Sequence, residues 1–349
     1  MSTAGVEEAG PQAWLPRWRE VGRRGTVHAV EAYSTLPDDV RTRISTRSGF
    51  LTARDAHEIG LSRSEIDALV RAGLLERVVR GIYAMPLEQP SPEAAYRRFV
   101  LAALAARPGT PGDIVLAGPA AAVLLGLPLF GRAPTVVHVA APHDHGRKDG
   151  RLLQPLGALS SREITQAGPW RVANPARAAI DTARVLTTVS GVVAADAALR
   201  LGMADHGELV DACVRVAGRT GVSRARRAVR LADARSESPG ESWSAVVIDD
   251  LGLPAAERQH PFEDEDGFIG RVDFWWPEHR VVGEFDGRVK YGRVNPSGRP
   301  PEDVLWDEKR REDRLRAADQ AVVRWTSSDL ARPHALQRRL SAALTRAHR

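Results

Sequence analysis

The chain has 349 residues, of which 43% are hydrophobic and 27% charged, with a net charge of +5. That length favours two or three cores over one, and no run of 18 apolar residues offers a membrane span. A single cysteine, Cys213, excludes an internal disulfide framework or a cysteine-built zinc site, and MSTAGVEEAG lacks the basic start and apolar run of a secretory signal. A cytoplasmic protein with no membrane partner is therefore expected. Lys148, Lys290 and Lys309 are the only lysines, so 46 of the 49 basic residues are arginines. Arginine suits bidentate phosphate contacts, and a GC-rich coding bias accounts for the excess as well.

Residues 1–49 mix Pro, Gly, Trp and charge without a clear period and read as a weakly ordered extension with at most one short helix. The pattern sharpens at LTARDAHEIGLSRSEIDALVRAGLLERVVRGIYAMP. Thr52 with Asp55 caps a first helix, and Ser62 with Glu65 forms a capping box that opens a second. Ile66, Leu69 and Val70 give the second helix one apolar face, and Gly73 stops it. LLERVVRGIYA then alternates like a hairpin bent near Gly81. Two short helices and a hairpin over 50–86 predict a winged helix-turn-helix. Its second helix would present Arg63, Ser64, Asp67 and Arg71 to the major groove, with Arg77 and Arg80 on the wing for phosphates. A protein-docking winged helix is the competing reading.

Residues 91–235 read as a mostly helical middle region. PEAAYRRFVLAALAAR, AGPAAAVLLGLP and ANPARAAIDTARVL predict helices, and PTVVHVAAP a strand. His143, Asp144 and His145 are either a metal-binding group or a solvated loop. Cys213 reads as a buried structural thiol. Arg224, Arg226, Arg227 and Arg230 read as a solvated helix face or a phosphate contact. ARSESPGES has the composition of a linker. Beyond it, over 238–349, the predicted order is helix, strands, helix, strand, helix, with DLARPHALQRRLSAALTRA as one closing helix.

RVDFWWPEHRVVGEFDGRVKY, residues 271–291, sets Asp273, Glu284 and Asp286 within strand-like apolar runs. A hairpin turning at PEHR pairs Trp276 with Val281 and Phe274 with Gly283. It leaves Val272, Phe274, Trp276, Val281 and Phe285 on a core face and the three carboxylates together on the other. Like charges so close repel, and a divalent cation, Mg2+ or Mn2+, is the expected positive partner. Such an ion polarises phosphoryl oxygens and generates hydroxide. Lys290, Lys309, Arg310 and Arg311 are basic residues placed to meet the phosphate.

Asp273 followed by Glu284-x-Asp286 on adjacent strands resembles the PD-(D/E)xK nuclease core. SPGESWSAVVIDDLGLP, the 271–291 stretch and DEKRREDRLRAADQAVVRWTSSDL are similar to proteins related to very-short-patch repair endonucleases. LSRSEIDALVRAGLLERVVRGIYA resembles the winged helix of AbiEi-type antitoxins. The resemblance implies an α/β multidomain protein: a winged helix, a connecting region and a restriction-endonuclease-like α/β domain. It also implies Asp273 and Glu284 as metal ligands, with Glu241 as a further acidic member. Glu241 has a second reading as a helix cap after Ser238 and Pro239. Asp286 stands where the nuclease motif has lysine, and Lys290 is the candidate replacement. Two functions follow: a Mg-dependent endonuclease that binds DNA, or a transcriptional regulator and antitoxin with an inactive nuclease-like domain. The partner of the second would be a nucleotidyltransferase toxin.

Overall fold

A computed structural model describes residues 34–88, 90–106, 114–140, 152–287 and 301–346, with side chains in the last segment described from Trp306 onward. Lys290 and the His143–Asp144–His145 group lie outside the described residues. The fold is mixed α/β, and the chain forms two compact units. One comprises residues 1–124 and 132–173, the other 125–131 and 174–349. The predicted 91–235 region is thus shared between them.

In the first unit, helix α1 (Asp38–Thr46) precedes strand β1 (Leu51–Thr52), helices α2 (Ala53–Glu58) and α3 (Arg63–Arg71), and strands β2 (Glu76–Val79) and β3 (Ile82–Ala84). Thr52 and Asp55 form a capping box on α2, and Ser62 and Glu65 form one on α3. Gly73 and Gly81 adopt left-handed φ at +71° and +78°, where the chain leaves α3 and where the hairpin bends. Strand order is β1-β3-β2. The extension expected over 1–49 is corrected at its C-terminal part. Leu36, Val40 and Ile44 are buried in one core with Leu51, Ile66 and Leu75, so α1 belongs to this module. Their four-residue spacing was the helical signal.

The middle region carries more strands than the one expected at PTVVHVAAP. Helix α4 (Pro92–Ala105), strand β4 (Val115–Leu116), helix α5 (Gly118–Leu124) and strands β5 (Val137–Ala140), β6 (Leu153–Pro155), β7 (Ile164–Ala167) and β8 (Trp170–Ala173) follow. The strands make a five-stranded sheet of order β6-β5-β4-β8-β7. None exceeds four residues, too few for an alternating pattern to stand out against Ala-rich helices.

The second unit has four helices with an alanine-rich shared core: α6 (Pro175–Val185), α7 (Thr188–Arg200), α8 (His206–Arg215) and α9 (Val222–Leu231). Cys213 is buried in this core. Arg227 and Arg230 pair with Asp249, and Arg224 donates to the Ala183 carbonyl, so these three arginines of α9 are taken up internally. The expected linker 234–242 is a packed corner instead. Ser236 is fully buried and accepts from Arg258 (2.7 Å), while Ser242 donates to buried Asp196 (2.7 Å). A Ser/Gly/Pro composition served here for side-chain hydrogen bonds and a helix cap, not for freedom.

Helix α10 (Pro239–Asp250) follows, then strands β9 (Glu257–Asp264), β10 (Gly267–Trp276) and β11 (Val281–Asp286), helix α11 (Pro301–Ala317), strand β12 (Ala321–Thr326) and helices α12 (Ser327–Ala331) and α13 (Pro333–Arg346). The predicted single closing helix is broken before Pro333, which lacks the N–H a continuous helix needs. Sheet order is β12-β11-β10-β9. β9, β10 and β11 run antiparallel, and β12 lies parallel to β11. The register matches expectation: Trp276 faces Val281 and Phe274 faces Gly283. Phe274, Trp276, Val281 and Trp325 pack with Ile248 of α10 and Leu340 of α13. Both tryptophans satisfy their indole N–H, Trp276 on the Pro254 carbonyl and Trp325 on Ser244 Oγ, each at 2.8 Å. Val272, expected on that face, is instead buried with Phe262, Ile269, Val282 and Leu315 in a second cluster.

Candidate functional site

Two places concentrate the predicted residues, one in each unit. On the winged helix, Arg63, Ser64, Asp67 and Arg71 are all exposed on α3, while Ile66 is buried. Arg77 and Arg80, on and beside the hairpin, are exposed as well. The neighbouring arginines behave differently. Arg43 lies 3.2 Å from Glu58, Arg47 3.4 Å from Asp55, and Arg54 3.0 Å from Glu58. Arg63, Arg71, Arg77 and Arg80 make no hydrogen bond or ion pair among the described residues. Arginines near α1 and α2 are therefore neutralised, and those on α3 and the hairpin are left to solvent or to a partner.

The second place is a recess of about 170 Å³ lined by Asp273, Glu284, Asp286 and Glu308, with Arg271, Arg311 and Arg324 between them. The sequence expected a metal here, and the charges are met differently. Glu284 sits directly across from Arg324 in the parallel β11–β12 register. Arg311 lies 2.7 Å from one of its oxygens and Arg324 3.2 Å from the other. The Arg311 contact is an ion pair without hydrogen-bond alignment, since that carboxylate oxygen is buried with no directed donor. Arg324 also pairs with Glu308 (2.9 Å) and Glu312 (3.3 Å). Asp273 accepts from the Phe285 N–H (2.8 Å) and from Gln259 Nε2 (3.1 Å). The same Gln259 nitrogen donates to Glu241 Oε2 at 2.9 Å.

Glu241 is 7% exposed and acts as a cap, accepting from Ser238 Oγ (2.7 Å) and the Glu237 N–H (2.9 Å). Asp286 Oδ1, like Glu284 Oε1, is buried with no hydrogen-bond partner among the described residues, but no arginine stands within ion-pair distance of it there. Lys309, Arg310 and Arg311 do not form one basic face. Lys309 is exposed, 5.9 Å from the Trp306 ring centroid, and exposed Arg310 pairs with Asp307 at 2.6 Å. Arg311 turns inward and donates to the Arg271 carbonyl (2.7 Å).

Magnesium demands near-octahedral oxygen ligands at about 2.0–2.1 Å. Asp273 and Glu284 already spend oxygens on Gln259, Phe285, Arg311 and Arg324, and two guanidinium groups stand where a cation would approach. The residues present do not fit that ion as a three-carboxylate ligand set. Among the described residues no group of three or more His, Cys, Asp or Glu side chains is placed to hold a metal.

Residues 38–86 match the family model of the AbiEi antitoxin transcriptional regulators. Over 235 residues the chain is 31% identical to the uncharacterized proteins MT2308 and Rv2248 of two Mycobacterium tuberculosis strains, covering 65% of this chain and 79% of theirs. The chain belongs to the family of these two proteins. Its AbiEi-type module includes α1, which explains why the matched segment begins at Asp38 and not at residue 50.

Arg324, Glu308 and Gln259 are among the side chains around the recess that the sequence did not single out. Arg324 carried a signal: an arginine inside the apolar strand AVVRWT is the same anomaly as Glu284 inside VVGEF, and the two are partners. Glu308 followed from a helical face once that pairing was known. Gln259 had no signal, because its place depends on a backbone irregularity in β9 (φ +53°).

Proposed function

We propose that the protein is a DNA-binding transcriptional regulator of the AbiEi antitoxin kind, with its α3 helix in the major groove and its hairpin on the flanking backbone. The observation that carries this reading is the division of arginines in the winged helix. Those on and beside α1 and α2 are paired, and Arg63, Arg71, Arg77 and Arg80 are exposed and uncommitted among the described residues. At the N-terminal end of α3, Arg63 and Ser64 are positioned for base edges. Arg77 and Arg80 on the wing supply charge for phosphates. Exposed Asp67 repels phosphate and fits best over a groove floor, where cytosine N4 donates.

Family membership of the 38–86 segment supports a toxin partner, and we assign it to the nucleotidyltransferase class by that likeness. The phosphodiesterase alternative has less support, because the carboxylates it needs are engaged by Gln259, Arg311 and Arg324. The test is a gel-shift titration with upstream DNA of the protein's own operon at several salt concentrations. Replacing Arg77 and Arg80 by alanine should weaken binding and lower the log–log salt slope by roughly 1–2, about 0.9 for each phosphate no longer neutralised. Unchanged affinity and slope in a correctly folded double variant would reject the winged helix as the DNA-binding surface.

A further inference from the structure

Apart from Asp286, every carboxylate of the recess that could share a cation is approached by a donor belonging to the protein itself. Gln259 is the least expected of these donors. It lies between Arg258, which faces Phe274, and His260, which faces Val272, so it stands across from Asp273 on the neighbouring strand. Its backbone is left-handed, at φ +53°, a conformation that non-glycine residues adopt only under external constraint. The kink takes Gln259 out of the ladder and brings its amide nitrogen to 2.9 Å from Glu241 and 3.1 Å from Asp273. One side-chain NH2 group thereby uses its two hydrogens on two carboxylates from different elements, α10 and β10. On the far side of Asp273, Glu284 is held by Arg311 and Arg324.

We propose that this recess is compensated from within. Gln259 joins Glu241 to Asp273 in the place of a shared cation, and Arg311 with Arg324 does the same for Glu284. Gln259 is a positioning residue: it fixes two acids side by side, and through them the N-terminus of α10 against the β9–β10 edge. The domain then holds its acidic recess together in the absence of divalent metal. Asp286, with its unpartnered buried oxygen, is one ligand and does not by itself hold an ion, because any second carboxylate must first be released by its own donor. The inference is independent of the winged-helix reading, and the outcomes of the two tests do not affect each other.

The experiment uses the full chain, melted in EDTA and in millimolar manganese, with manganese binding followed in parallel by electron paramagnetic resonance. Wild type should melt at the same temperature in both and should leave the manganese signal free. Gln259→Met keeps the side-chain length and loses both donors. It should melt lower in EDTA by about 2–4 °C, then recover in manganese while taking up the ion. Gln259→Lys places a positive charge between the same acids and should melt like wild type with no response to metal. A merely structural glutamine would lose stability in Gln259→Met without gaining a manganese site. That result overturns the proposal, as does a wild-type melting temperature that rises with manganese. If Gln259→Met does not fold in either condition, the wild-type titration and Gln259→Lys decide.

Discussion

Glu284 is a carboxylate 12% exposed between two guanidinium groups, and its surroundings reverse the consequence that its strand position first suggests. Three unpaired acids would be relieved by removing a charge. An acid set between Arg311 and Arg324 is not, because its loss leaves two partly buried cations facing a neutral amide. Glu284→Gln should therefore destabilise the protein by about 1–3 kcal/mol, seen as a lower denaturation midpoint in EDTA. A variant as stable as wild type would mean that the arginines stabilise nothing there.

A second buried acid makes a prediction about pH. Burial pushes Asp196 up to about 6, against Arg258 and hydrogen bonds from the Asp233 N–H, Ser242 and Ser236, which pull it down. The folded form thus holds this proton at a pH where the unfolded chain, with an ordinary aspartate near 3.8, has released it. Stability from this group is present at low pH and is lost as pH rises from about 4 to about 6. The stability of wild type relative to Asp196→Asn should fall over that window and stay level above it. A difference that grows with pH would show that the Arg258 interaction outweighs burial.

At the level of elements, capping boxes, stop glycines and hairpin bends were legible because each is a local rule satisfied within a few residues. Thr52/Asp55, Ser62/Glu65, Gly73 and Gly81 all do what their positions predict. The β10–β11 hairpin was legible for the same reason, down to its register. The short strands of the five-stranded sheet were not, since two to four residues carry too little pattern. The site was half legible. Its acids announce themselves by standing in apolar strands, but Arg311, Arg324 and Gln259 reach them through helix docking, a parallel pairing and a kink, which are tertiary facts. Close approach explains one glycine of α10 and one of β11. A Cβ on Gly240 would lie 2.0 Å from the Phe285 ring, and one on Gly283 would lie 2.4 Å from Trp325. Gly283→Ala should cost about 1–3 kcal/mol by overpacking, with a matching drop in the urea midpoint. A neutral effect would show that Trp325 can rotate away.

For the whole molecule, length pointed to more than one core and the family resemblance to an α/β class, but neither located the seams. The boundary inferred from ARSESPGES is a packed corner, and the seam between units lies at 173/174, where Asn174 caps α6 with no change of composition. Residues 125–131 depart from the segments around them and belong to the second unit. Phe130 rests against Trp243 at 5.0 Å between ring centroids, and its carbonyl accepts from Ser190 Oγ at 2.9 Å. Phe130→Ala should lower the melting temperature of the second unit, and a fragment starting at Asn174 should melt lower than the same unit in the intact chain. Equal melting temperatures would assign the 125–131 segment no role in that core.

That borrowed segment bears on how such a chain can be inherited. A domain bounded by one junction can be gained or lost in a single recombination event, and each half arrives complete. Here the backbone passes between the two units at 124/125, 131/132 and 173/174. A crossover at the last of these would separate the second unit from the seven residues that help close it. No such junction interrupts residues 38–86, but Phe50, Val79, Ile82 and Ala84 share a core with Ala102 of α4, so this module is exchanged together with the helix that covers it. Everything from the five-stranded sheet to the acidic recess has to travel together, so relatives should trade the segment before that sheet more readily than anything behind it.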